Sequence, residues 1–372
     1  MEDPKNFGIF RLTGGSLCAM LITNKKRFYF ETGGKGMAAT IKDIARETGL
    51  SLATISKYLN GGALREKNRL AVERAIEKLD YHVNEYARGL KSNKSRTVGV
   101  VIPELSNLFV TQIISVVEGV LQEQGYSVIV CDCRSDSERE CRAVRFLLEK
   151  RVDGIINMPV CSDGRHLRPA VDNGLPVLLL DRPIDALGGI ASCVLLDNEN
   201  AARMAARRLL ELGHRRIGIL VGPKDVYTSR MRLNGYRAAL KEYGVEPAEE
   251  LIAYGDYTLE GGHRQIRRLL DEARGMTAVF VTNYEMTLGT LIALNERGVQ
   301  IPSELSLIGF DNMDLSRVAR PPLTIVSQPL EEIGLQAARL MLEFFSGERT
   351  APVTVSLSAS LQEGQSTRRI SP

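Results

Sequence analysis

Two sets of residues in this chain have types and positions that could do chemistry. The first lies at the ends of short apolar, β-rich runs. Pro103-Glu104, Asp132, Asp181, Gly222-Pro223, Asn283 and Asp311 each follow such a run, among them Val98–Ile102, Pro176–Leu180, Ile217–Val221, Ala278–Val281 and Leu305–Gly309. In sheets of parallel strands the carboxyl ends line the ligand crevice, so these side chains predict a polar binding site. The second set is Leu52, Ala53, Thr54, Ser56 and Lys57, a cluster of short hydroxyls, small apolar groups and one ammonium within six residues. Lys57 can donate to guanine O6 and N7, Leu52 and Ala53 can touch thymine methyls, and the hydroxyls can hold phosphates. No catalytic set accompanies them. His82, His166, His214 and His263 are dispersed and form no evident triad, and His214, just ahead of a strand, reads as structural. There is no Gly-x-Gly-x-x-Gly after the first strand, no Walker loop, no His-Glu-x-x-His and no Cys-x-x-Cys or Cys/His spacing of a zinc site. The expectation is therefore no metal, no cofactor and no enzyme.

The elements that must position these residues follow from periodicity. Thr40 is placed to cap a helix with Ile41, Ile44 and Ala45 on one face, broken at Gly49. Ser51 is placed to cap a second helix, Leu52 to Leu59, ending at Asn60-Gly61-Gly62. A third, about Glu66 to Leu79, carries Val72, Ala75, Ile76 and Leu79 at i, i+3, i+4, i+7. Two short helices around a Gly-containing turn with a third closing the core make a helix-turn-helix head, with Ile55 and Leu59 inward and the second cluster outward. An amphipathic three-helix bundle with a merely polar face is the bland alternative. Beyond Thr97 apolar runs alternate with amphipathic helices, which predicts an α/β body of doubly wound parallel sheets.

Composition agrees with this division. The 372 residues, 44% hydrophobic and 25% charged, have the makeup of a globular protein of two or three domains. Residues 37–96 carry 12 Lys and Arg against 7 Asp and Glu, a net of +5, and residues 1–36 add +3, so the remaining 276 are net −5. A basic head on an acidic body points to a polyanion partner. No apolar run spans a bilayer, and six scattered cysteines read as reduced cytoplasmic thiols. Residues 1–36 show no sustained period. Leu17 to Thr23 resembles a signal-peptide core but lacks a small-residue cleavage site and runs into Lys25-Lys26-Arg27. Gly33-Gly34 is encodable by a ribosome-binding sequence about seven nucleotides ahead of Met37, so the expectation is translation from Met37, with 1–36 a mis-annotated or disordered extension.

Thr40-Ile41-Lys42-Asp43-Ile44-Ala45-Arg46-Glu47-Thr48-Gly49-Leu50-Ser51, followed by Ala53-Thr54-Ile55-Ser56-Lys57-Tyr58-Leu59-Asn60, resembles the N-terminal motif of the lactose/galactose-repressor family of bacterial transcription regulators. Leu212-Gly213-His214-Arg215-Arg216-Ile217-Gly218, Arg230-Met231-Arg232-Leu233-Asn234-Gly235-Tyr236 and Ile308-Gly309-Phe310-Asp311-Asn312 look like the family's effector domain, related to periplasmic sugar-binding proteins. The resemblance implies a helix-turn-helix domain over 37–82, a hinge helix and linker over 83–96 and an effector and dimerisation domain over 97–372. Its subdomains would comprise about 97–195 with 330–355, and 196–329 with 356–372, crossing near Leu196, Gln328 and Val355. Leu52, Ala53 and Lys57 then take base-reading positions; Lys57 replaces the usual arginine and loses its bidentate fork. Arg65 replaces the usual serine cap. In the hinge Asn84, Ala87 and Leu90 match the family spacing, Leu90 as a minor-groove wedge, with Val83 replacing a proline and Gly89 raising the cost of helix formation.

For the crevice the resemblance implies effector contacts from Asp181, Arg232, Tyr257, Asn283, Tyr284, Asp311 and Gln328. Tyr284 replaces an aspartate often used for sugar hydroxyls. With Arg230 and Lys224 nearby, that loss predicts a sugar acid or sugar phosphate rather than a neutral sugar. The partners implied are double-stranded operator DNA, a small sugar-like effector and a second copy of the chain in a homodimer, with no membrane. Two other readings remain at this stage: a solute-binding protein, and a corepressor-type regulator of a non-sugar metabolite.

Overall fold

The computed structural model describes residues 18–23, 26–31, 39–59, 61–81, 94–311 and 313–370. The chain divides into two compact units, Met1–Ser92 and Asn93–Pro372.

In the first unit Cys18–Thr23 (β1) pairs antiparallel with Lys26–Glu31 (β2), Cys18 opposite Glu31 and Thr23 opposite Lys26. This corrects the reading of that stretch as without a strand period: Ile22, Phe28, Tyr29 and Phe30 belong to the β-branched and aromatic types that favour extended backbone. Three helices follow, Ile41–Thr48 (α1), Leu52–Leu59 (α2) and Glu66–Lys78 (α3). Their apolar stripes meet in a small core of Ile44, Ile55, Val72 and Ala75, flanked by Leu50, Tyr58, Leu59 and Leu79. Gly49 ends α1 at φ 67°, a left-handed conformation that carries no Cβ penalty in glycine.

The second unit holds two six-stranded sheets. One comprises Thr97–Ile102 (β3), Ser127–Asp132 (β4), Gly154–Asn157 (β5), Val177–Leu180 (β6) and Ser192–Leu196 (β7), in the order β7-β6-β5-β3-β4. The other comprises Ile217–Val221 (β8), Ile252–Tyr254 (β9), Ala278–Val281 (β10), Ser306–Phe310 (β11) and Thr324–Ser327 (β12), in the order β12-β11-β10-β8-β9. Thr354–Leu357 (β13) adds beside β7 in parallel, and Ser360–Gln362 (β14) adds beside β12 antiparallel. Each sheet is apolar on both faces, as βαβ crossovers require: Val98, Val100 and Ile156 pack on one side of the first while Val101, Ile155 and Leu179 pack on the other.

The chain passes between the sheets three times. It leaves the first after Leu196, returns at Gln328 and leaves again between Leu357 and Ser360. The last passage lies beyond the expected Val355, because Thr354–Leu357 continue the ladder with Cys193–Leu196. Close helix packing locks the second half together. The helices Asn198–Glu211 and Tyr227–Glu242 touch at Gly235, where any Cβ would collide with the Glu199 carbonyl. Among the described residues no helix is long and apolar enough to cross a membrane.

Candidate nucleic-acid interface and ligand crevice

The head presents the expected face. Ser51 precedes α2 and its Oγ accepts from the Thr54 N–H at 3.2 Å, while the Ser51 and Thr54 hydroxyls share a hydrogen bond of 2.9 Å. Ile55 on α2 is fully buried, which turns Leu52, Ala53 and Lys57 to solvent, Leu52 being 45% exposed. Thr54 and Ser56 are half-buried. The Lys57 stem passes over Gly62, whose N–H donates to the Lys57 carbonyl at 2.8 Å. At α1 the cap works through the carboxylate: the Thr40 N–H and hydroxyl both donate to Asp43 Oδ2, at 2.9 and 2.7 Å. Those bonds, with Arg46 beside them, hold the Asp43 carboxyl below its usual range. The Arg65 side chain makes no cap hydrogen bond to α3. Instead Tyr58 donates to Glu73 at 2.7 Å, pinning α2 to α3, and Arg69 bridges Glu66 and Glu73. Asn60, Asn84, Ala87 and Leu90 lie outside the described residues.

In the second unit five strand ends converge. Asp181 follows β6, Thr282 and Asn283 follow β10, Asp311 follows β11 and Gln328 follows β12, while Gly222 at the end of β8 packs against the Tyr257 ring. Asp181, Tyr257 and Asp311 all have left-handed backbones, φ 66°, 64° and 62°. Such residues persist only where the surroundings over-determine them, and they gather at binding sites. Arg232 is buried to 4% exposure at the centre. Its Nε donates to Asn198 Oδ1 at 2.8 Å, its Nη1 donates to the Thr282 carbonyl, and its guanidinium lies 3.9 Å from the Phe310 ring centroid. Asp311 accepts from Gln328 Nε2 at 2.7 Å, and Gln328 Oε1 is buried without a partner. Burial pushes the Asp311 carboxyl up to about 6, against the opposing pull of Arg232 and Gln328 and with the push of Asp181. The structure thus brings Asp181, Arg232, Asp311 and Gln328 together. Tyr257 donates or accepts a 2.9 Å bond with the Thr228 hydroxyl, and the Arg182 guanidinium lies 5.9 Å from its ring centroid, reaching over from the first sheet. Asn283 spends Oδ1 as the cap of the helix Tyr284–Glu296, accepting from the Met286 N–H, and Tyr284 is half-buried at the start of that helix.

Three contributors were invisible to sequence reasoning. Asn198 and Phe310 clamp Arg232, and Arg182 binds Asp181 at 3.2 Å. The only available signal was proximity to strand ends. The charges also differ from expectation. Lys224 lies over the Tyr254 ring and Arg230 is exposed, whereas the ionisable groups acting on Asp311 are Arg232 and Asp181. Burial raises the Glu285 carboxyl, and Glu104 and Glu260 raise it further. Carboxylates thus stand on both sides of the crevice, beside the guanidiniums of Arg182 and Arg232.

Comparison with known proteins agrees in both units. Residues 40–84 match the family of bacterial regulatory proteins described as lacI family, and residues 206–367 match the periplasmic binding protein-like domain. The catabolite control protein A of Priestia megaterium is 35% identical over 334 residues, covering 89% of this chain and all of its own length. The chain belongs to the lacI family. This regulator is also similar to the lac repressor dimer solved on its operator with the anti-inducer ONPF, at 29% identity and a TM-score of 0.80, covering 89% of this chain and 99% of that one. A transcriptional regulator CelR–cellobiose complex is 32% identical with a TM-score of 0.68, covering 88% and 99%. The chain is a ligand-responsive, DNA-binding transcriptional regulator of the repressor type.

Proposed function

We propose that this regulator binds a pseudo-palindromic operator as a cytoplasmic homodimer, acts without catalysis, and releases or tightens on DNA according to a neutral, hydroxyl-rich effector held in the crevice. One observation carries the ligand reading: Asp181, Asp311 and Gln328, at the ends of three strands, meet the buried Arg232 of the helix Tyr227–Glu242. A sugar closing that crevice would offer hydroxyls to the carboxylates as donors and to Arg232 as acceptors. The cellobiose in the CelR complex is an example of the class. Subdomain closure about the three passages would then bias the hinge around Asn84, Ala87 and Leu90. Leu52, Ala53 and Lys57 would read bases, and Thr40, Ser51, Thr54, Ser56 and Asn60 would fix register on phosphates and neighbouring groups. The domain division follows the same scheme, with the head over 37–82, the hinge over 83–96 and the effector domain beyond.

The test is to recover and sequence genomic fragments bound by the purified protein at near-physiological salt. A two-fold-symmetric motif beside carbohydrate genes supports the proposal. Motif-free binding that vanishes with salt and does not sharpen with added sugars refutes it.

A further inference from the structure

On the face of the first sheet that carries Val144, Leu147 and Leu167, the loop after β5 meets the helix Ser137–Glu149 around an open cavity of about 580 Å³. Cys161, Asp163 and His166 each bring one donor atom within 4.8 Å of the others there, and Cys141 lines the same cavity. The His166 side chain is only 2% exposed, its Nε2 lies 3.1 Å from Glu140 Oε1, and its Nδ1 is buried without a partner. Glu140 is itself fully buried and already accepts from the Asn157 amide and from the Val160 and Cys161 N–H groups. A carboxylate so placed draws the imidazole proton to Nε2 and leaves the lone pair on Nδ1. A carboxylate on one ring nitrogen in this way orients the other nitrogen of a histidine toward a metal.

We propose that Cys161, Asp163 and His166 form a binding site for a borderline-soft divalent transition cation of the zinc class, with Cys141 or water as fourth ligand. One thiolate, one imidazole and one carboxylate suit Zn2+ or Co2+ and not the oxygen-seeking Mg2+ or Ca2+. Tetrahedral ligands at about 2.0–2.3 Å from a metal stand roughly 3.3–3.8 Å apart, so donor atoms now within 4.8 Å of one another need to close by about 1.5 Å at most. Cys161 Sγ and Asp163 Oδ1 are already 3.3 Å apart. Binding replaces the Cys161 thiol proton, which passes to buffer, with a metal–sulfur bond. Arg165, now paired with Asp163 at 2.6 Å, is 88% exposed at its side chain and free to swing to solvent. The site matters to the crevice because Pro159, in the same loop, accepts from Arg182, which in turn holds Asp181. Cys161-x-Asp163-x-x-His166 is not a paired-cysteine spacing, so the cluster carries no mark in the sequence alone.

The experiment is titration of the full-length, fully reduced protein with Co2+, read by absorption. The expected result is one Co2+ per chain with a thiolate-to-cobalt charge-transfer band, displaced by equimolar Zn2+. Cys161→Ser should abolish the band, Asp163→Asn should weaken Co2+ binding by about 10–100-fold, and Cys131→Ser should leave both unchanged. Circular dichroism and operator binding check that each variant folds. Absence of the band, its persistence in Cys161→Ser, or loss of two thiols to a Cys141–Cys161 disulfide without metal uptake overturns the proposal.

Discussion

Asp311 offers a quantitative test of the crevice chemistry. Its carboxyl is fully buried and titrates at about 6 instead of 3.8. The folded-state value is raised, so between these two pH values the folded chain binds more protons than the unfolded one, and stability falls as pH rises. Above about 6 the ionised group costs the fold its whole shift of about two pH units, which at 1.36 kcal/mol each is about 3 kcal/mol; below 3.8 the cost is absent. Asp311→Asn removes the charge and keeps an oxygen to accept from Gln328 Nε2. The variant should therefore be more stable than the wild type by about 2–3 kcal/mol at pH 8, with the gap closing toward pH 4. Urea unfolding across that range measures it. Circular dichroism and tyrosine emission are the probes, since the chain has no tryptophan. A gap that stays constant with pH, or widens in acid, refutes the assignment of a strained, buried carboxylate. The same variant should bind effector less tightly, because it lacks the acceptor that a sugar hydroxyl would use.

Lys57→Ala should weaken operator binding by about 1–3 kcal/mol, roughly 5- to 150-fold at fixed salt, and relax base preference at one position per half-site; a loss uniform across sequences would reassign Lys57 to phosphate. Tyr58→Phe removes the 2.7 Å bond to Glu73 that ties α2 to α3, and should cost the head about 1 kcal/mol in thermal unfolding while leaving the effector unit untouched. Gly235→Ala drives a methyl into the Glu199 carbonyl, so the two packed helices must separate; a loss of about 3 kcal/mol or insoluble protein is expected, and an unchanged melting temperature would contradict the packing.

The head was legible in the sequence because its signals are local. Ser51 before α2, Gly49 in a left-handed cap and the stripe Val72, Ala75 are set by neighbours within one or two turns. The strands Ile217–Val221 and Ala278–Val281 were equally plain, being buried on both faces and continuously apolar. Ser192–Leu196, Ile252–Tyr254, Thr324–Ser327, Thr354–Leu357 and Ser360–Gln362 were not found. Several are only three or four residues long, and their pairing is decided by partners far along the chain, as when Thr354 joins Cys193. The same distinction divides the site. Asp181 and Asp311 announced themselves as polar residues ending apolar runs, whereas the clamp of Asn198 and Phe310 on Arg232 exists only once two strands and a crossover have been brought together. Charge was harder still, since Lys224 and Arg230 lie close to Arg232 in sequence yet turn elsewhere in space.

The proposed function requires that the ligand site and the DNA site be coupled through this chain. The direct measurement is fluorescence anisotropy of the recovered operator titrated with protein at fixed salt, with and without saturating sugar, alongside calorimetry of the sugar with and without operator. A neutral sugar should change operator affinity by about 5- to 150-fold, operator should change sugar affinity by the same factor, and Arg232→Ala should abolish both shifts. Operator affinity unmoved by a sugar that demonstrably binds, or shifts that persist in Arg232→Ala, would contradict the coupling.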